Sequence, residues 1–206
     1  QLSDEEDDYL LNGFYGENAA FFDDVRQGRF PQGDLKSGRQ SVEIAQNRIC
    51  EKSFAREAGL QTAPFAAVYR EADIAAAVDA VGFPAILKSA TLGYDGKGQI
   101  PVNTPEEALA AFEQLGSKPC VLEEMVDLAC EISVVLARCS DGQQAVYPIG
   151  ENWHVNGILD TTMVPADIDT ASRDVAVRMA GQLADGMNYC RVLAVEFFIT
   201  RQGELL

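Results

Sequence analysis

The most constraining stretch of this chain is a glycine-rich loop set between two short apolar segments. Residues 83–88, Phe-Pro-Ala-Ile-Leu-Lys, read as a strand that closes on Lys88, and residues 99–102 read as another. Between them run Gly93, Tyr94, Asp95, Gly96, Lys97, Gly98 and Gln99. Glycine at 93, 96 and 98 lets the backbone take positive φ and approach a ligand closely. Adjacent amides can then face phosphate oxygens, as in an anion nest. The loop joins two strands, so it differs from the Walker pattern, in which Gly-Lys-Ser or Gly-Lys-Thr opens a helix. Two readings stay open on these residues: a phosphate-gripping loop with Lys88 and Lys97 as its cations, and an ordinary glycine turn.

The flanking pattern is mixed α and β. Residues 41–58 read as a helix stopped at Gly59, and residues 72–81 as a second helix stopped at Gly82. Residues 63–69 read as a strand. Thr104, Pro105 and Glu107 form the start signature of a third helix, ending at Gly116. Strands are expected over 120–125, 131–137 and 143–149, the last two joined at Ser140-Asp141-Gly142. Residues 152–164 read as irregular, 168–187 as a long helix, and 192–200 as a strongly apolar strand. A further strand begins at Glu204-Leu205-Leu206, and its missing end suggests a fragment. Residues 1–40 lack either period. Their acidic run, Asp4-Glu5-Glu6-Asp7-Asp8, and paired apolar residues fit a solvated extension or an acidic and aromatic partner-binding segment.

Charge and rare residues narrow the function. A net charge of −16 argues against wholesale nucleic-acid binding and against adhesion to anionic membranes. No apolar run reaches the length of a membrane span, and the acidic opening is unlike a secretory leader. Five cysteines without a Cys-x-x-Cys pair suggest neither a disulfide framework nor a thiolate zinc site, and fit reduced thiols in a cytoplasm. A single histidine, His154, excludes a site with two imidazoles. Carboxylates, lysines and backbone amides are left to do the chemistry.

Several acids are candidates. Glu196 sits in Val-Leu-Ala-Val-Glu-Phe-Phe-Ile, where an unpaired carboxylate is costly. It must meet a cation, a metal or water, and both a structural ion pair and a Mg²⁺ ligand remain open. Alternation over 131–136 puts Glu131, Ser133 and Val135 on one face. Glu123, Glu124 and Met125 close the preceding strand. His154 lies in a polar stretch, Glu151-Asn152-Trp153-His154, where a hydrogen-bonded loop residue and a catalyst are both admissible.

Taken together these residues resemble the ATP-grasp family. Ala45-Gln46-Asn47-Arg48, Lys88, the heptad from Gly93 to Gln99, Glu123 to Val126, Glu131, Glu151 to His154 and Val195-Glu196-Phe197-Phe198 fall in that family's order over residues 41–206. More narrowly they resemble its 5-(carboxyamino)imidazole ribonucleotide synthase branch, in which the heptad is a specific mark. The resemblance implies an α+β fold of two subdomains enclosing ATP, the first to about residue 124 and the second from about 125. It implies ATP-dependent carboxylation of 5-aminoimidazole ribonucleotide with bicarbonate, through carboxyphosphate. Arg48 and Lys88 would touch phosphates. The heptad Gly93, Tyr94, Asp95, Gly96, Lys97, Gly98 and Gln99 would close over them. Glu123, Glu124, Met125 and Val126 would hold adenine, and Glu131 the ribose. His154 would lie at the bicarbonate end, Tyr94 and Asp95 would face the ribonucleotide, and Glu196 would bind Mg²⁺. Asp95, Lys97 and His154 are the expected catalytic groups. A homodimer fits the family. Two alternatives stand beside this reading: another ATP-grasp ligase with a different acceptor, and a nucleotide-binding fragment without turnover.

Overall fold

The structure, a computed structural model, describes residue 27 and residues 44–91, 98–139, 141–155 and 157–206. The expectations for residues 1–40, and those for Gly93, Tyr94, Asp95, Gly96 and Lys97, lie outside the described residues.

The first helix, α1 (Arg48–Glu57), starts later than the sequence pattern predicts. Asn47 is extended, and its side-chain oxygen accepts from the amides of Ile49 and Cys50. That cap ends the single helix expected over 41–58 and begins a new one at Arg48. At its far end Gly59 takes φ +82°, as the helix-stop reading requires.

Next come β1 (Phe65–Val68), a single 3-10 turn (Glu71–Asp73), α2 (Ile74–Val81), β2 (Ala85–Ser89), β3 (Gln99–Val102), α3 (Pro105–Gln114) and β4 (Cys120–Glu124). The four strands form one antiparallel sheet in the order β1-β4-β2-β3. Thr104 caps α3 by accepting from the Glu107 amide at 3.1 Å. The Glu107 carboxylate reaches back to the Asn103 amide at 2.7 Å, one residue beyond the cap. Leu87, Val102, Phe112 and Leu122 pack with α2 and α3 into one core.

The second sheet holds β5 (Leu128–Arg138), β6 (Gln144–Val146), β7 (Gly150–Val155), β8 (Ile158–Met163) and β9 (Arg191–Thr200), with α4 (Thr170–Gly186) between β8 and β9 in the chain. Long β5 carries β9 along one edge and β6 and β7 in succession along the other, with β8 outside β7. Ile132, Val134 and Leu136 are completely buried between this sheet and α4. Leu60, Ala55 and Ala58 join the same core, so the α1 end of the chain packs on the second sheet.

Two expectations need correcting. Residues 152–164 are not irregular; they form most of the β7–β8 hairpin. Asn156-Gly157 is a strong hairpin signal in the sequence, and Gly157 takes φ +76° just before β8. Polar residues on both strands hid the alternation. Glu196 is likewise not enclosed by the apolar strand around it. Phe197 and Ile199 point into the core, whereas Ala194 and Glu196 are exposed on the other face. Its carboxylate is open to solvent, and among the described residues it makes no ion pair. After Gly203 turns the chain, Leu205 bridges Ile199 and Leu206 exchanges both backbone hydrogen bonds with Phe198.

Candidate active site

The site is built from the faces of the two sheets that turn away from their helix-backed cores. On β2 and β4, Lys88 lies opposite Val121 and Glu123 opposite Ile86, which sets Lys88 and Glu123 diagonally on one face. Their neighbours Leu87 and Leu122 point the other way, into the core. Lys88 Nζ donates to Glu123 Oε2 at 2.9 Å, and Lys52 Nζ, from α1, lies 3.1 Å from the same oxygen. Glu123 is 3% exposed, and its Oε1 is buried without a hydrogen-bond partner among the described residues. Burial alone pushes this carboxyl up. The charges of Lys88 and Lys52, with hydrogen bonds from both, outweigh burial and hold it below its ordinary range.

Arg48 sits one turn before Lys52 on α1. Its amide donates to Ala90 O at 2.9 Å and its guanidinium to Ser89 O at 2.8 Å. Arg48 is therefore pinned where β2 gives way to the glycine loop. From the loop's far end, Gly98 O accepts from the Ser89 amide and Gln99 pairs with Lys88. Glu124 and Met125 are exposed and Val126 is half-buried, on the segment that leads from the first sheet to the second.

The second sheet supplies Glu131 and Ser133 from β5, Glu196 from β9, and Asn152 and His154 from β7. Glu131 lies opposite Asn152, and Ser133 opposite Glu196. His154 Nδ1 is 3.0 Å from Glu131 Oε2. Nδ1 is buried and, among the described residues, makes no hydrogen bond. Burial, then the Glu196 charge, pushes the Glu131 carboxyl up against the opposing pull of His154 and Lys88. Buried Asn152 donates to Ser133 Oγ and accepts from the Thr162 hydroxyl, bracing the β5–β7–β8 surface beneath these groups.

Charges on the two faces lie within electrostatic reach of each other. The Lys88 charge, from the first sheet, reaches Glu131 on the second. Glu51 on α1 feels Glu123 from one side and Glu196 from the other. The protein around the cleft pushes the Glu51 carboxyl up, although its surface remains open to water. Among the expected site residues, the structure thus gathers Arg48, Lys88, Glu123, Glu131, His154 and Glu196. Lys52 and Glu51 were not singled out from the sequence. Their spacing from Arg48, four and three residues along one helix, was the available signal.

Among the described residues, no three His, Cys, Asp or Glu side chains converge on a common metal position. Exposed Glu196 fits an ion such as Mg²⁺, which takes most of its ligands from phosphate oxygens and water. No helix of the described residues is long and apolar enough to cross a membrane.

Two antiparallel sheets, each backed by helices and bringing lysines and carboxylates within electrostatic reach of one another, make an α+β architecture. The chain belongs to the ATP-grasp family: residues 53–206 match the ATP-grasp domain. Within that family it is similar to N5-carboxyaminoimidazole ribonucleotide synthases. The enzyme of Brucella melitensis is 40% identical over 168 residues, 81% of this chain and 46% of that protein. That of Pseudomonas aeruginosa is 41% identical over 159 residues, 77% of this chain and 44% of that protein. A solved N5-carboxyaminoimidazole synthetase from Staphylococcus aureus, complexed with ADP, superposes with a TM-score of 0.74 at 32% identity, over 81% of this chain and 44% of that one. The chain therefore spans less than half the length of these relatives.

Proposed function

We propose that this chain is the nucleotide-gripping part of an enzyme that carboxylates 5-aminoimidazole ribonucleotide with bicarbonate and ATP, in purine biosynthesis. The carrying observation is the Lys52–Glu123–Lys88 cluster, which holds two ammonium groups against one buried carboxylate at the mouth of the glycine loop. The surplus positive charge suits a polyphosphate, and the S. aureus relative was solved with ADP.

In this reading Lys88, Arg48 and the loop from Gly93 to Gln99 neutralise phosphate charge. Glu123, Glu124, Met125 and Val126 frame adenine. Glu131 takes the ribose hydroxyls, and Tyr94 and Asp95 face the ribonucleotide. Glu196 would hold Mg²⁺, which when bound neutralises charge on the transferring phosphoryl group. A bicarbonate oxygen attacks the γ-phosphorus and ADP leaves. The exocyclic amine of aminoimidazole ribonucleotide then attacks the carbon of carboxyphosphate, phosphate leaves, and the amine proton passes to a base. His154 lies at the bicarbonate end, and Asp95 and Lys97 act from the loop. Most of the catalysis is positioning and charge neutralisation, with loop closure excluding water from the labile intermediate. Small-molecule substrates fit a cytoplasmic setting.

Two measurements test the reading, the first on this chain and the second on the longer enzyme to which it would belong. MgADP at about 100 times its dissociation constant should add about 2.7 kcal/mol to unfolding stability. ADP release should require both bicarbonate and aminoimidazole ribonucleotide. Absence of any stabilisation by MgADP overturns nucleotide binding. Release that ignores the ribonucleotide points instead to another acceptor.

A further inference from the structure

Lys52 has no part in the roles assigned above, yet it is built into the cluster as firmly as Lys88. Both ammonium groups converge on Oε2 of Glu123, at 3.1 Å and 2.9 Å. The side chains of Lys52, Lys88 and Glu123 are 19%, 16% and 4% exposed. One carboxylate oxygen thus carries two cations while Oε1, also buried, carries none. Either lysine could leave and Glu123 would still be balanced by the other. Their mountings differ. Lys52 stands on the second turn of α1, where its ammonium also lies 5.7 Å from the Phe65 ring centroid. Lys88 stands near the end of β2, one residue from Ser89, whose amide and carbonyl are tied to Gly98 and Arg48 at the two sides of the glycine loop.

Resting on the reading of Lys88 as a phosphate cation, we propose that Lys52 is a positioning residue. It stays on Glu123 and balances its charge, so that Lys88 can turn its ammonium from Oε2 to a nucleotide phosphate. Without Lys52, that turn would leave a buried carboxylate alone, which is strongly unfavourable. Lys88 would then be held back by Glu123, for which it would be the sole cation among the described residues. The same argument requires Lys52 to matter only while Lys88 is present.

The test is a calorimetric double-mutant cycle on the full chain with MgADP. The variants are Lys52→Met, Lys88→Met and the pair together, with adenosine as a phosphate-free control. Lys52→Met should weaken MgADP by about 10- to 100-fold, and by less than about 2-fold once Lys88 is already Met. Adenosine affinity should move by less than about 2-fold in Lys52→Met, since no phosphate is engaged. Lys52→Arg, which keeps the charge, should restore most of the MgADP affinity. If Lys52→Met loses its cooperative unfolding transition, Lys52→Gln runs through the same cycle. Additive losses, or equal losses of MgADP and adenosine, overturn the proposal and leave Lys52 as a structural ion pair. A wild-type chain that binds no MgADP overturns the nucleotide reading itself, and this inference with it.

Discussion

Replacing Glu123 with Gln removes the carboxylate that two half-buried lysines share. Breaking a fully buried ion pair costs about 3–5 kcal/mol, whereas an exposed pair is worth about 0–1 kcal/mol. Lys52 and Lys88 keep 19% and 16% of their side-chain surface, so each ammonium can turn partly to water. Gln also retains a carbonyl acceptor near Oε2. The expected loss is therefore about 2–3 kcal/mol at pH 7, toward the buried end of the range. For a chain of this size that corresponds to a fall of about 4–12 °C in Tm. Urea unfolding should show the loss as a lower midpoint with an unchanged slope. Its pH dependence follows from the Glu123 carboxyl being held below its ordinary range. A depressed carboxyl contributes stability that is complete above the unfolded-state pKa and is lost as pH falls through the folded-state value. Gln does not titrate, so the wild-type advantage should shrink in acid and be full at neutrality. A neutral-pH loss under about 0.5 kcal/mol would show that the lysines are solvated without Glu123, and the cluster argument would fail.

Glu131 should behave with the opposite sign. Its carboxyl is raised, so it charges in the folded protein against burial and the Glu196 charge. Wild-type stability should fall as pH rises from the unfolded-state pKa through the raised folded-state value. Glu131→Gln should thus be more stable than wild type above that window and lose its advantage below it, with urea midpoints across pH as the check. Gly150→Ala should destabilise by about 1–3 kcal/mol, because an added Cβ would lie 2.6 Å from Thr162 Cγ2. Thr162→Ser deletes that methyl and keeps the hydroxyl given to Asn152, so adding it should recover part of the loss. No recovery in the double variant's thermal unfolding would place the strain elsewhere.

The sequence by itself determined the features that depend on neighbouring residues. Thr104 and Pro105 start α3, and Gly59, Gly82 and Gly116 end helices at positive φ, because caps and stops act within one turn of chain. The alternation around Glu131 placed it and Ser133 opposite the buried Ile132, Val134 and Leu136. The motif series reached the ATP-grasp family because its spacing lies along the chain. The pairing of distant side chains was decided only by the tertiary structure. Lys88 and Glu123 are 35 residues apart and meet because β2 and β4 are sheet neighbours in a register that the apolar pattern does not encode. Lys52 joins them only because α1 packs over that face. The β7–β8 hairpin was missed because its strands carry polar residues on both faces. Asn152 is buried there only by virtue of partners on β5 and β8. Glu196 read as enclosed because its neighbours are apolar, yet a strand presents alternate residues to opposite sides. Which side meets water was settled by α4 covering one face of the sheet and leaving the other to the cleft.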